Sequence, residues 1–158
     1  MKAYLVLSDS HGNLNALESL CVQEAGHFDE VIFLGDHIDD AAFLKERTGL
    51  PVHAVKGNCV DSGPRELLLT AEGKRLLLTH GDAYGVKVGR LRISLRAREL
   101  KADAVLFGHT HVQESYEEDG ILFANPGTIG APRRGSGTFM LLSVDESTLS
   151  AHPGVLIV

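Results

Sequence analysis

The chain has no tryptophan, and aromatic residues make up only 6% of its 158 residues. Its core must therefore be built from Leu, Val, Ile and Ala. Two cysteines, Cys21 and Cys59, are too few for a disulfide framework, so a reduced, cytoplasmic setting is expected. Positive charge is in deficit: 15 Lys plus Arg against 21 Asp plus Glu give a net charge of −6. General nucleic-acid binders carry a basic stripe. A nucleic-acid polymer is thus not the expected partner, although a small nucleotide stays open. Long apolar runs are missing as well. The run Ala3–Leu7 is shorter than a signal-peptide core and far below the ~20 residues of a membrane span. No targeting segment and no membrane partner are expected. What is present is an ordinary globular mixture, 44% apolar and 23% charged, which counts against disorder. The length suits one domain over 1–158.

Strand and helix signals alternate through the first half. Ala3–Leu7, Val31–Leu34 and Val52–Val55 are compact apolar runs that read as buried strands. Between them, Leu14, Leu17, Leu20 and Cys21 recur at helical spacing, and Ala41–Arg47 forms a shorter helix stopped by Gly49 and Pro51. Such a βαβαβ rhythm implies parallel strands with right-handed crossovers. The second half is richer in hairpins. Glu66–Thr70 and Arg75–Thr79 flank a turn containing Gly73, and Val112–Tyr116 and Ile121–Ala124 flank Glu117–Gly120. Val86–Leu100 is the longest helix candidate, with Val88, Leu91 and Leu95 on its apolar face. Ala104–Phe107, Thr138–Val144 and Val155–Val158 are further strands. The expected class is α/β with a mixed sheet, or two sheets packed face to face with helices outside.

The informative feature is the short polar segment at the end of each buried strand. Ser8-Asp9-Ser10-His11 comes after the first, Gly35-Asp36-His37-Ile38-Asp39 after the second and Gly57-Asn58-Cys59 after the third. His80-Gly81-Asp82 succeeds the strand ending at Thr79, and Gly108-His109-Thr110-His111 succeeds the strand ending at Phe107. In open α/β sheets the ligand crevice lies at the carboxyl ends of the strands. Asp9, His11, Asp36, Asn58, His80, His109 and His111 should therefore converge. In Asp-x-His and His-x-His, an extended backbone would turn both side chains to one side. Two Asp, one Asn and four His exceed the needs of one tetrahedral site. They suit two cations sharing a carboxylate, either Asp9 or Asp36, and clamping an in-line displacement. The mixed N/O donor set favours Mn, Fe, Co, Ni or Zn over Ca or Mg, with Mn the first choice.

This ordered set of motifs, from Asp9-x-His11 through Gly108-His109-x-His111, resembles the calcineurin-like metallophosphoesterase superfamily. The short length, Gly57-Asn58-Cys59 and Asn125-Pro126-Gly127-Thr128 are similar to its small YfcE-type phosphodiesterase branch. The resemblance runs from Ala3 to about Pro132. It implies a four-layer α/β/β/α sandwich of two mixed sheets with a dinuclear site at the strand ends. Carried over by position, one cation would take Asp9, His11, Asp36 and His111. The other would take Asp36, Asn58, His80 and His109, with Asp36 bridging. The implied activity is hydrolysis of a small soluble phosphate ester, a diester preferred, by in-line attack of a metal-bridging hydroxide.

Asp39 would orient a ligand or water, or else cap a loop. Many members of the superfamily carry His where this chain has Cys59. A thiol is a poor general acid for alkoxide leaving groups, so esters with acidic leaving groups are expected substrates. Arg65, Arg133 and Arg134 are candidate phosphate holders. The cations Lys87, Arg90, Arg92, Arg96, Arg98 and Lys101 read first as a solvated face opposite Val88, Leu91 and Leu95; the competing reading is a local basic patch for a polyanionic substrate. Two other functions compete: a non-catalytic scaffold of the same fold with a degenerate metal site, and a nuclease. The complete donor set counts against the first and the acidic balance against the second. The apolar run Val155–Val158 offers strand pairing within the chain or in a homo-oligomer.

Overall fold

The computed structural model describes residues 1–58, 63–132 and 135–157. Its elements are β1 (Lys2–Leu7), α1 (Leu14–Gln23), β2 (Glu30–Phe33), α2 (Asp40–Thr48), β3 (Val52–Ala54), β4 (Glu66–Ala71) and β5 (Lys74–Thr79). Next come a short 3₁₀ turn (Asp82–Tyr84), α3 (Leu91–Glu99), β6 (Ala104–Leu106), β7 (Gln113–Glu118), β8 (Ile121–Pro126), β9 (Thr138–Val144) and β10 (Leu149–Val155). The strands form two five-stranded sheets, ordered β10-β9-β1-β2-β3 and β4-β5-β6-β8-β7. Each sheet is mixed. β1, β2 and β3 run parallel while β9 and β10 are antiparallel to their neighbours. In the second sheet β5, β6 and β8 run parallel, with β4 and β7 antiparallel at the edges.

The period-two pattern of the strands divides the apolar residues among three clusters, and these define four layers. Tyr4 and Val6 of β1, with Ile32, face Leu76, Leu78 and Leu106 of the other sheet. The alternate residues Leu5, Leu7, Val31 and Phe33 face outward onto Leu17, Leu20 and Cys21 of α1 and Leu44 of α2. On the far side, Leu77, Val105 and Phe123 pack beneath Ile93 and Ala97 of α3. Shifting any central strand by one residue would exchange these faces.

Local chemistry sets the element ends. The Asn13 side chain caps α1 by accepting from Ala16 N at 3.1 Å. Gly49 ends α2 in the left-handed conformation at φ 69°. Glu72-Gly73 and Asp119-Gly120 all have positive φ, the signature of two-residue type I′ turns that join β4 to β5 and β7 to β8.

Four expectations from the sequence need correction. The long helix begins at Leu91, not Val86, because residues 85–89 close into turns, with Gly85 at φ 61° and Val88 and Gly89 both donating to the Gly85 carbonyl. Its buried face is Ile93, Ser94 and Ala97, whereas Val88, Leu91 and Leu95 are 96%, 71% and 54% exposed. Nor are its cations a plain solvated face. Arg90 pairs with Glu114, Arg96 with Glu66 and Glu99, and Arg98 with Glu118 and Asp119. Finally, the last strand is Leu149–Val155 rather than Val155–Val158. It pairs with β9 inside the chain, and Val158 lies outside the described residues.

Among the described residues, no helix is long and apolar enough to cross a membrane.

Candidate metal centre

The carboxyl ends of β1, β2, β3, β5 and β6 open onto one place, and each delivers a polar donor there. Asp9 lies just beyond β1, and its backbone N–H donates to the Gly35 carbonyl beyond β2. Asp36 lies one residue further on. His80 directly succeeds β5, and its backbone carbonyl accepts from Gly108 N at 2.9 Å, which fixes the start of the His109 loop. The crossing of these loops leaves no room for side chains at the glycines. A Cβ on Gly57 would sit 1.6 Å from Asp36 Oδ1, and one on Gly108 would sit 2.1 Å from Ser8 Oγ and 3.1 Å from Asp9 Oδ2. At Gly35 (φ 85°), a Cβ would meet Gly57 N at 2.7 Å and His80 Nδ1 at 3.0 Å.

Asp9, His11, His109 and His111 have φ of 56°, 48°, 70° and 64°. The paired donors thus share one side because both sit in left-handed turns, not because the backbone is extended. Such conformations cost of order 1–3 kcal/mol each and gather at functional sites.

The donor atoms converge closely. His111 Nε2, His11 Nε2 and His80 Nε2 stand 3.2, 3.8 and 3.8 Å from Asp9 Oδ1. His80 Nε2 is also 3.6 Å from Asp36 Oδ2 and 3.1 Å from both Asn58 Oδ1 and His109 Nδ1. His11 and His111 approach through their Nε2 atoms at 3.4 Å. All seven predicted donors are therefore brought together. Two compact sets stand out, Asp9-His11-His111 and Asp9-Asp36-His80, and the carboxylate common to both is Asp9.

Three observations fit this cluster to cations. Asp9 is fully buried, and its Oδ2 accepts from Ser8 Oγ at 2.8 Å and His109 N at 3.1 Å. Its Oδ1 accepts no hydrogen bond among the described residues. A buried carboxylate oxygen left this way costs about 1–3 kcal/mol or more, and a cation would meet it. His80 is also fully buried; its Nδ1–H donates to the Leu34 carbonyl at 2.7 Å. That bond fixes the tautomer and leaves the Nε2 lone pair directed at the cluster. The third concerns Asn58. The end of its amide facing Asp36 stands 2.7 Å from Oδ2 and 3.1 Å from Oδ1 and His80 Nε2. An oxygen there meets only acceptors, which a cation reconciles; an NH₂ there donates to them instead. Burial, then the neighbouring His80 and Lys87, push the His109 pKa below that of an ordinary histidine, which favours the neutral, ligating form.

Asp39 is exposed at the N-cap of α2 and its side chain makes no capping bond. Asp40, missed in the sequence, takes the structural part instead. It is only 3% exposed. Its Oδ2 accepts from Ser10 Oγ at 2.6 Å and Gly12 N at 3.1 Å, and its Oδ1 meets His37 Nδ1 at 3.1 Å. An acidic residue in a first helical turn ordinarily reads as dipole compensation, so the sequence offered no sharper signal. Thr128, after β8, also joins the site by donating to the Asp9 carbonyl at 2.8 Å. Arg65 is exposed. Cys59, Arg133 and Arg134 lie outside the described residues.

The family model of the calcineurin-like phosphoesterase superfamily domain matches residues 1–147. The protein named "Probable metallophosphoesterase YsnB" of Bacillus subtilis (strain 168) is 37% identical over 152 residues, spanning 94% of this chain and 88% of its own. "Phosphodiesterase YfcE" of Escherichia coli (strain K12) is 30% identical over 164 residues, with 86% and 84% covered. Among solved structures, a predicted phosphoesterase from Streptococcus pneumoniae TIGR4 superposes with a TM-score of 0.82 at 27% identity, covering 98% of this chain and 89% of that one. Vps29 from Entamoeba histolytica shares the fold, with a TM-score of 0.79 at 24% identity and coverage of 98% and 93%. With the family model spanning residues 1–147 and the two-sheet architecture shared along nearly the whole length, the chain belongs to the calcineurin-like phosphoesterase superfamily.

Proposed function

We propose that the protein is a dinuclear, metal-dependent phosphodiesterase acting on a small phosphate ester. The observation that carries this reading is the buried Oδ1 of Asp9, without a hydrogen-bond partner among the described residues, facing His11, His80 and His111. His11 and His111 with Asp9 hold one divalent cation. His80, His109 and Asn58 would hold the other, and the family resemblance makes Asp36 the carboxylate they share, although Asp9 is the one common to both compact donor sets. Bound there, the cations supply Lewis-acid activation of water and neutralise charge growing on the phosphoryl oxygens. The chain's own residues hold the donors in register. Leu34 orients His80, Ser8 and the His109 N–H steady Asp9, and Asp40 anchors the His11 turn. Cys59 is next in the chain after Asn58, and with a thiol at that position esters of acidic alcohols turn over faster than alkyl esters. Mn is the expected activator, with Fe, Co, Ni and Zn the alternatives.

A non-catalytic scaffold of the same fold would not need three histidines gathered around a buried carboxylate oxygen that has no hydrogen-bond partner among the described residues. The deciding experiment combines metal analysis by mass spectrometry with hydrolysis of bis(p-nitrophenyl) phosphate in Mn²⁺. Two ions per chain and turnover are expected. Asp36→Asn should lose both ions and all activity. Asp9→Asn, which touches histidines of both groups, should retain one. If instead Asp9→Asn loses both and Asp36→Asn keeps one, Asp9 is the bridge. Turnover in chelator, or no metal at all, would overturn the reading.

A further inference from the structure

An open cavity of about 840 Å³ flanks the donor cluster, walled by His109, His111, Lys87, Val112 and Thr138 among others. Asp9, Asp36, Asn58 and His80 do not line it. The cavity therefore extends away from the donors on the His109–His111 side. An ester with its phosphorus at the donors would lay one arm in this space, and a cavity of this size takes a group as large as a nucleoside.

The charge on that wall is uneven. Arg90 also lines the cavity, but Glu114, which lines it too, pairs with Arg90. Arg96 and Arg98 are paired on α3, and Arg92 donates to the Ala83 carbonyl at 2.9 Å. Lys87 is exposed and, among the described residues, has no carboxylate within ion-pair distance. Its base is held firmly. Val86, the preceding residue, is fully buried, and its carbonyl accepts from the Arg90 guanidinium, which itself lies over the Phe107 ring at 5.1 Å.

We infer that Lys87 is a specificity-determining residue: it takes a second anionic group, such as an additional phosphate, on the ester arm that fills this cavity. The preferred substrates are then nucleotide-sized esters bearing negative charge beyond the scissile phosphate. This rests on the phosphoesterase reading for its catalytic part, but the binding part can be measured alone.

The test compares wild type, Lys87→Gln and Lys87→Arg, each loaded with Mn²⁺. Calorimetry would give the affinity for adenosine 3′,5′-bisphosphate and for adenosine 5′-monophosphate, and hydrolysis of bis(p-nitrophenyl) phosphate would be measured in parallel. Wild type should prefer the bisphosphate by roughly fivefold, the scale of one solvent-exposed ion pair. Lys87→Gln should abolish that preference, Lys87→Arg should keep it, and added salt should weaken it. Hydrolysis of the diester, which has no second charge, should change by less than twofold. An equal preference in wild type and Lys87→Gln, or none in wild type, overturns the inference while leaving the hydrolase reading intact. A Lys87-dependent preference without any hydrolysis would support the inference and sink the hydrolase reading.

Discussion

At Asp40 both carboxylate oxygens are engaged inside the protein, one by Ser10 Oγ and Gly12 N and the other by His37. The residue thus ties the His11 turn to the loop carrying Asp36. Removing it leaves buried donors without acceptors, a cost of about 1–3 kcal/mol, and frees the His11 turn. Groups that orient ligands in this way are worth roughly 10–100-fold in metal affinity. Asp40→Ala should therefore bind Mn²⁺ that much more weakly, as a calorimetric titration would measure. Unchanged affinity with a lowered melting temperature would reduce Asp40 to a purely structural role. The seven strand-end donors were legible because each stands close to the residue that ends a strand, usually near a glycine. Asp40 was not, because its partners Ser10 and Gly12 lie some thirty positions away, and nothing local separates it from the exposed Asp39.

The helix α3 carries two stripes that both satisfy a period near 3.6, Leu91–Leu95 and Ile93–Ala97. Composition favours the leucines, but the protein buries the other pair. What decides is long-range: the arginines at 96 and 98 reach acids on β4 and at the β7–β8 turn, which orients the helix. No local pattern encodes that choice. The hairpins were easier to read, since Gly73 and Gly120 supply the positive φ that the turns require. The α3–β4 contact also sets an acid limit. Arg96, bonded at 2.5 Å, and then the Tyr84 hydroxyl hold the Glu66 carboxyl below its ordinary 4.5, against the opposing effect of burial. A carboxyl depressed in the folded state stabilises it fully above the unfolded value, and that contribution disappears as pH falls through the lower folded value. Glu66→Gln should cost about 1 kcal/mol near neutral pH. Its stability curve should meet the wild-type curve below the folded pKa of Glu66. Parallel curves in acid denaturation would show that the pair is not the cause.

At the level of the whole molecule, the two sheets contribute unequal but complementary donors. Asp9, His11, Asp36 and Asn58 leave the first sheet, and His80, His109 and His111 leave the second. The alternation of apolar residues allowed either one mixed sheet or two; the resemblance pointed to two, and the inter-sheet cluster of Tyr4, Ile32, Leu78 and Leu106 bears this out. Because the donors come from both sheets, cations held at the centre would bind the folded form and not the open chain. Saturating Mn²⁺ at a hundred times its dissociation constant should add about 2.7 kcal/mol, visible as a rise in melting temperature that a chelator reverses. A melting temperature indifferent to Mn²⁺ would mean that the cluster does not bind it.

Glycine at 35, 57 and 108 lets the loops pass within contact distance where the sheets' ends meet. That crowding makes the centre a seam between two slabs, and a seam tolerates little shear. A slip of one strand residue, about 3.3 Å, would rival the spacing of the donors themselves. Changes on the outer helices can therefore drift with little consequence for chemistry, whereas a methyl group added at the crossing would pry the halves apart.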